Sequence, residues 1–257
     1  MERAVFITGA CVGTGYVIAE KYAGAGWNVI ITGRDGKKAA ASAENLAKQY
    51  GVKAIGYECN IRNEAQVKNI FSDIDKKGLF VETLILNAAN LGFRPENPAA
   101  GQDFWTVPVE EFAEVFETNL VWNFTIARQA AFRMKEMGKG SIVFIGSNTS
   151  KCPIPNRTAY CASKGGINSL SASLAIELGP YGIRSNVILP GTIKTKRWEE
   201  MNKGETISGN QTPIGDIADF EDIANAAYYL GTSLAKNVTG AELLLDGGMS
   251  RQLFPRK

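Results

Sequence analysis

Tyr160 and Lys164 stand one helical turn apart in the run Tyr160-Cys161-Ala162-Ser163-Lys164, with Ser147 upstream and Asn119 further back. A phenol loses its proton at a pKa of about 10, so at neutral pH a free tyrosine is a poor proton shuttle. A cation held beside it favours the phenolate. Lowering that pKa by two to three pH units corresponds to roughly 3–4 kcal/mol, which one ammonium in a dry site can supply. In a helix beginning near Thr158, positions 160 and 164 share a face. Tyr and Lys at this spacing are also common on solvated helix faces, so the pair acquires meaning only from its company.

That company begins at the first residues. Arg3-Ala4-Val5-Phe6-Ile7-Thr8 is a short apolar run with β-branched residues, which predicts a buried parallel strand. Thr8-Gly9-Ala10-Cys11-Val12-Gly13-Thr14-Gly15 follows, then an amphipathic stretch from Tyr16 to Ala25. In a strand, glycine-rich turn and helix, the backbone can approach a pyrophosphate and the helix start offers unpaired N–H groups. The spacing is T-G-x3-G-x-G rather than G-x-G-x-x-G. With 27 glycines in the chain, such a loop alone would also suit an ordinary strand-to-helix turn.

Further strand-like runs recur at Trp27–Thr32, Lys53–Tyr57, Thr83–Leu86, Ser141–Ile145, Ser185–Leu189 and Ala241–Leu245. Helical patterns lie between them, the longest from about Val109 to Met137 and from about Thr158 to Leu178. This alternation predicts an α/β fold, a Rossmann-type doubly wound parallel sheet of about seven strands with helices on both faces. Ligands in such folds sit beyond the carboxyl ends of the strands, where the motifs above fall. No linker, repeat or low-complexity tract divides the chain, so residues 1–257 are expected to form a single domain.

Composition narrows the chemistry. The chain has no histidine, which removes Ser-His-Asp and Cys-His catalysis and His-based metal sites. Cys11, Cys59, Cys152 and Cys161 lack metal-type spacing, so no metal site is expected and the thiols read as reduced. A net charge of +2 without any lysine-arginine block argues against nucleic acid or a membrane surface as a partner. No signal peptide and no membrane-crossing apolar run are visible, and a soluble cytoplasmic protein is the expectation.

Taken in order, these motifs resemble the short-chain dehydrogenase/reductase family from the first strand to about Met249. The family's catalytic Asn, Ser, Tyr and Lys match Asn119, Ser147, Tyr160 and Lys164. Leu189-Pro190-Gly191-Thr192-Ile193-Lys194-Thr195 resembles its cofactor loop, and Val238-Thr239-Gly240 with Asp246-Gly247-Gly248 resembles its C-terminal signature. The resemblance implies an NAD(P)-dependent oxidoreductase that interconverts a ketone or aldehyde and the corresponding alcohol. In that mechanism Ser147 donates to the substrate carbonyl and Tyr160 delivers the proton. Lys164 binds the nicotinamide ribose and lowers the phenol's pKa, and Asn119 holds a water linking Lys164 to solvent.

Cofactor contacts implied by the resemblance are Thr8, Gly9, Gly13, Thr14, Gly15 and Arg34, then Asn60, Ile61 and Asn87. Tyr160, Lys164, Pro190, Gly191, Ile193 and Thr195 complete the set. It implies a homo-oligomer as well, a tetramer or a dimer. A catalytically silent NADP(H)-binding sensor or scaffold is the alternative, but such relatives typically lose one of the four catalytic positions, and all four are present. Tyr-x6-Lys would have suggested an enoyl reductase; here the spacing is Tyr-x3-Lys.

NADP is favoured over NAD by Thr32-Gly33-Arg34-Asp35, where Gly33 offers no carboxylate to repel a 2′-phosphate and Arg34 can grip one. The bland reading makes Arg34 a solvated turn residue and Asp35 a helix cap. Val12, where many NADP-dependent relatives hold a basic residue, argues the other way. Two departures from the family stand out. Asn60 replaces an adenine-binding Asp, its amide oxygen still able to accept. Asn87-Ala88-Ala89-Asn90 replaces N-N-A-G, with Asn90 expected to take the glycine's left-handed backbone and Ala88 unable to bond as the missing Asn does.

The substrate itself stays open among a sugar or polyol, a keto acid, a β-ketoacyl thioester and a steroid-like ketone. Two loops are expected to set it. One runs from Leu91 to Val107, with Phe93, Arg94, Phe104 and Trp105; the other runs from Lys196 to Pro213, with Arg197, Trp198 and Met201. The aromatics would equally suit anchoring onto the core or a subunit partner. Lys151 and Arg157 are candidates for meeting a carboxylate or phosphate, and the tail from Ser250, with Leu253 and Phe254, for packing across an interface.

Overall fold

Successive side chains of a strand point to opposite faces, so a strand buried on both sides feeds two apolar layers. In the first strand, β1 (Glu2–Ile7), Ala4 and Phe6 enter one layer while Val5 and Ile7 enter the other. This computed structural model describes residues 1–60, 62–92, 103–195 and 212–253. After β1 come α1 (Gly13–Gly24), β2 (Asn28–Gly33), α2 (Gly36–Tyr50), β3 (Ala54–Glu58), α3 (Glu64–Lys76) and β4 (Leu79–Leu86). Then follow α4 (Val109–Phe116), a π-helical turn (Glu117–Val121), α5 (Trp122–Met137), β5 (Gly140–Ile145) and α6 (Thr158–Leu178). The last described elements are β6 (Ile183–Pro190), α7 (Phe220–Gly231) and β7 (Glu242–Leu245).

The seven strands form one sheet in the order β3-β2-β1-β4-β5-β6-β7, with every neighbouring pair parallel. Side chains from α3, α5 and α6 (Phe71, Ile126 and Ile167 among them) pack on the Phe6, Leu84 and Phe144 side. Those from α1, α2 and α7 (Ile18, Leu46 and Ile223) pack on the Ile7, Ile85 and Val143 side. The fold is thus the doubly wound Rossmann-type sheet that the alternation predicts. After β3 the chain returns across β1 to build β4, so the loops leaving β1 and β4 diverge and open a crevice at their carboxyl ends.

The main difference in boundaries has a plain cause. β4 begins at Leu79 rather than Thr83, because Glu82 interrupts the apolar run yet keeps its place in the strand by pairing with Lys139 at 2.6 Å. The pattern from Val109 to Met137 is helical throughout, interrupted by the π turn, a local widening that often marks functional positions. Asp35 accepts from the Lys38 N–H and so caps α2, as the bland reading of that residue has it.

Candidate active site

Asn87, just past β4, stitches the ends of β1 and β4 together. Its amide Nδ2 donates to the carbonyls of Thr8 and Gly9, each at 3.0 Å, while the Thr8 hydroxyl accepts from the Asn87 and Ala88 N–H groups, each at 3.0 Å. Gly9 and Gly13 take left-handed backbone with φ of 63° and 62°. A Cβ on Gly15 would lie 2.7 Å from Asn87 Nδ2 and 2.8 Å from the Ala10 Cα, so only glycine fits there. The residue capping α1 is Val12, which has no side-chain oxygen and is 74% exposed, and the first turn, where Thr14 lies, holds no acid. The first N–H groups of α1 therefore meet no competing side-chain anion. Tight loop, missing Cβ and open helix start fit the pyrophosphate of a dinucleotide.

The cleft beside this loop has a volume of about 890 Å³, and Gly9, Gly33, Arg34, Asn60, Asn87 and Leu91 are among the residues lining it. Arg34 is exposed and leaves β2, two strands away from Leu91 after β4. A Cβ on Gly33 would come within 2.3 Å of the Cys11 sulfur, so the glycine's empty place is filled by a side chain from the loop itself. Asn60 Oδ1 accepts from the Arg62 N–H at 3.1 Å, a local turn that orients the amide toward the following segment. On the far side, the Gly191 N–H donates to the Leu245 carbonyl at 3.0 Å, and Ile193 pairs with Ala218. The loop from Pro190 to Thr195 is thereby held beside the sheet. Ile61 lies outside the described residues.

Ser147, Tyr160 and Lys164 converge beyond the end of β5. Lys164 is 3% exposed and donates to the Ile145 carbonyl at 2.7 Å, with its Nζ 5.6 Å from the centre of the Tyr160 ring. The Ser147 hydroxyl accepts from the Thr149 N–H and hydroxyl at 3.2 and 2.9 Å and is hydrogen-bonded to Tyr160. It serves both readings at once, capping a short 3-10 turn and facing the phenol. Asn119 sits in the π turn, fully buried. It accepts from the Asn90 N–H at 2.7 Å and donates to the Asn90 carbonyl at 2.9 Å and the Ser163 hydroxyl at 3.0 Å. Its own carbonyl accepts from Asn123 Nδ2 at 2.7 Å.

Burial pushes the Tyr160 phenol above its usual range; a hydrogen bond from Ser147 and the charge of Arg157 pull back without reversing it. The cation that draws the phenol down is Arg157 rather than Lys164. Desolvation also weakens the lysine's own charge by lowering its pKa to about 8. A buried lysine proton held this loosely penalises folding below pH 8, and the penalty fades as pH rises from about 8 toward 10.5. The gap corresponds to about 3 kcal/mol. Lys164→Met is therefore expected to be relatively more stable than wild type at pH 7, with the advantage shrinking by pH 9.5 in urea midpoints measured at both.

Asn90 supplies a correction. It does not take left-handed backbone; Gly92, with φ of 68°, does so, and its N–H donates to Asn90 Oδ1 at 2.8 Å. Asn90 is held instead by the paired bonds to Asn119. Asn123 escaped the sequence reading. It is buried with Oδ1 unpartnered, and the available signal is an Asn one turn after Asn119 in an otherwise apolar helical pattern. Phe104 and Trp105 pack edge to face, but Trp105 is 86% exposed, so neither anchors the loop to this chain's core. Phe93, Arg94, Arg197, Trp198, Met201 and Phe254 fall outside the described residues; Leu253 is exposed.

Known proteins resemble this chain in sequence and fold. A family model described as enoyl-(acyl carrier protein) reductase matches residues 9–250. The 3-oxoacyl-[acyl-carrier-protein] reductase FabG of Aquifex aeolicus is 31% identical over 248 residues, which is 96% of this chain and 97% of that protein. L-rhamnose 1-dehydrogenase (NAD(P)(+)) of Azotobacter vinelandii is 31% identical over 258 residues, covering 97% of each. Among solved structures, a short-chain type dehydrogenase/reductase from Mycobacterium marinum superimposes with a TM-score of 0.86 at 27% identity. That match covers 98% of this chain and 96% of the other.

Proposed function

The chain belongs to the short-chain dehydrogenase/reductase family, and on that premise we propose that it interconverts a carbonyl compound and its alcohol, with Tyr160 as acid and base. It is an NAD(P)-dependent oxidoreductase. The observation that carries the proposal is the convergence of Ser147, Tyr160 and Lys164 beside the glycine cradle. The three-residue gap between Tyr160 and Lys164 favours carbonyl over enoyl chemistry, whatever the description of the matching family model.

The nicotinamide, when bound, supplies or takes the hydride. Ser147 donates to the substrate oxygen and Tyr160 passes its proton to that oxygen in reduction, or removes it in oxidation. A phenol raised by burial keeps its proton at neutral pH, which suits reduction. Lys164 contributes a buried positive charge beside the ring and N–H donors for the ribose hydroxyls. Asn119, through Asn90 and Ser163, fixes the loop after β4 against α6 and so holds the floor of the site. Thr8, Gly9, Gly13, Thr14, Gly15, Asn87, Pro190, Gly191, Ile193 and Thr195 are the proposed cradle for the cofactor. This chain keeps all four catalytic positions and its relatives are named for their reactions, so nothing supports a silent sensor.

NADP is the proposed cofactor, NAD the second choice, on the strength of Arg34 and the absent carboxylate at Gly33. Fluorescence titration of NADPH against NADH, followed by a panel of carbonyl compounds at the nicotinamide absorbance, tests both proposals. Tight NADPH binding with turnover supports them; failure to bind either cofactor sinks them. Gly33→Asp alone is expected to weaken both cofactors, because its Cβ would meet the Cys11 sulfur. Adding Cys11→Ala makes room, and the double variant is expected to favour NADH over NADPH by about tenfold through the ribose hydroxyls.

We further propose a single catalytic domain, a homo-oligomer (tetramer or dimer), and a cytoplasmic setting. The oligomer is supported by Val121, Phe124 and Phe132, which leave apolar surface exposed along the π turn and α5. No helix among the described residues is long and apolar enough to cross a membrane.

A further inference from the structure

Arg157 occupies the position of a helix cap and does not cap. The residue before a first helical turn is ordinarily Ser, Thr, Asp or Asn, whose oxygen accepts from unpaired N–H groups, and a cation there opposes the helix dipole. Arg157 holds that place ahead of α6 with φ of −140° and ψ of 26°, and its side chain makes no capping bond. Asn156 before it has φ of 57°, the only left-handed non-glycine backbone among the described residues. Asn accepts this conformation readily, so the turn at Asn156 sets the direction in which Arg157 enters the helix.

The guanidinium shows where it was placed. Its carbon lies 5.8 Å from the centre of the Tyr160 ring, on the same phenol that Lys164 approaches. Its Nη1 donates to the Leu91 carbonyl at 2.5 Å, at the edge of the cleft. Lys151, the other cation between Ser147 and Tyr160, is tied instead to Glu242 at 2.6 Å. Of the two candidates, only Arg157 stands over the reacting hydroxyl's ring.

We infer that Arg157 is a substrate-recognition residue and that the carbonyl substrate carries a carboxylate close to its reacting carbon, an inference that rests on the carbonyl–alcohol reading above. A planar guanidinium matches a carboxylate through two parallel hydrogen bonds, and it keeps its charge at every working pH. The bond to Leu91 fixes the plane of the fork, so the loop after β4 and the start of α6 together form the anion's seat. Of the candidate substrate classes, a keto acid is the one that brings a carboxylate next to its carbonyl to this guanidinium.

The test compares 4-oxopentanoate with its methyl ester, and 3-oxobutanoate with its methyl ester, using whichever nicotinamide cofactor the enzyme prefers. Wild type is expected to favour each acid over its ester in kcat/KM by tenfold or more. Arg157→Gln is expected to shrink that ratio at least tenfold through the KM of the acid, and Arg157→Lys to restore part of it. A wild-type ratio at or below one overturns the inference without recourse to any variant. An Arg157→Gln enzyme that loses acid and ester equally also overturns it, since that is the signature of a purely structural latch on Leu91. Should no carbonyl be reduced, calorimetric binding of 4-oxopentanoate and its ester decides. An acid preference that vanishes in Arg157→Gln keeps the anion site while sinking the reductase reading, and the absence of any preference sinks the anion site.

Discussion

Tyr160→Phe is expected to lower kcat by a factor of about a thousand or more, within the range of general acid-base catalysis, while leaving cofactor affinity within about threefold. The substitution removes one oxygen and keeps the ring, so the packing beside Lys164 survives. What disappears is the group bonded to Ser147 and placed under the charge of Arg157. Neither Ser147 nor Lys164 can substitute in delivering the proton. The serine hydroxyl is far too weak an acid, and the lysine is pinned to the Ile145 carbonyl. Stopped-flow single turnovers together with NADPH fluorescence separate the two quantities. Undiminished turnover would remove Tyr160 from the mechanism; lost cofactor binding would give it a structural role instead.

Gly15→Ala is expected to weaken cofactor binding by a hundredfold or more, about 2.7 kcal/mol. The new methyl would stand 2.7 Å from Asn87 Nδ2 and 2.8 Å from both the Ala10 Cα and the Gly9 carbonyl oxygen. None of these can yield cheaply. Asn87 holds the Thr8 and Gly9 carbonyls, and the Gly9 backbone is the floor on which a pyrophosphate would rest. The loop must therefore shift away from α1, and the aligned N–H groups go with it. The folded core is expected to survive, because the clash is confined to the cleft, so a cofactor titration and a melting curve on the same sample test the claim. A variant that binds normally would show that the loop gives way without cost and that the cradle lies elsewhere.

Much of the site is legible in the sequence. Tyr160 and Lys164 share a helix face because spacing alone puts them there, and Thr8 to Gly15 announces its turn through glycines that few other residues could replace. Asn90 shows the limit. Asn tolerates left-handed backbone, yet Gly92 two residues on adopts it at less cost, while Asn119 from the π turn claims the Asn90 peptide. The start of β4 was hidden for a similar reason. Glu82 reads as a break in an apolar run until Lys139, far along the chain, appears beside it. Asn123 likewise reads as a solvent-facing helix residue until the π turn presents a carbonyl to it.

Sequence by itself determined the alternation of strands and helices, the doubly wound sheet, the glycine-rich turn and the four positions that match the family's catalytic residues. These depend on periods and spacings that act within a few residues of one another. Tertiary structure decided the rest: that burial outweighs the charge of Arg157 at Tyr160, that Cys11 fills the space beside Gly33, and that Arg157 turns over the phenol while Lys151 turns to Glu242. Desolvation, close contact and ion pairing depend on which distant segments meet. Such meetings leave no periodic trace in the chain.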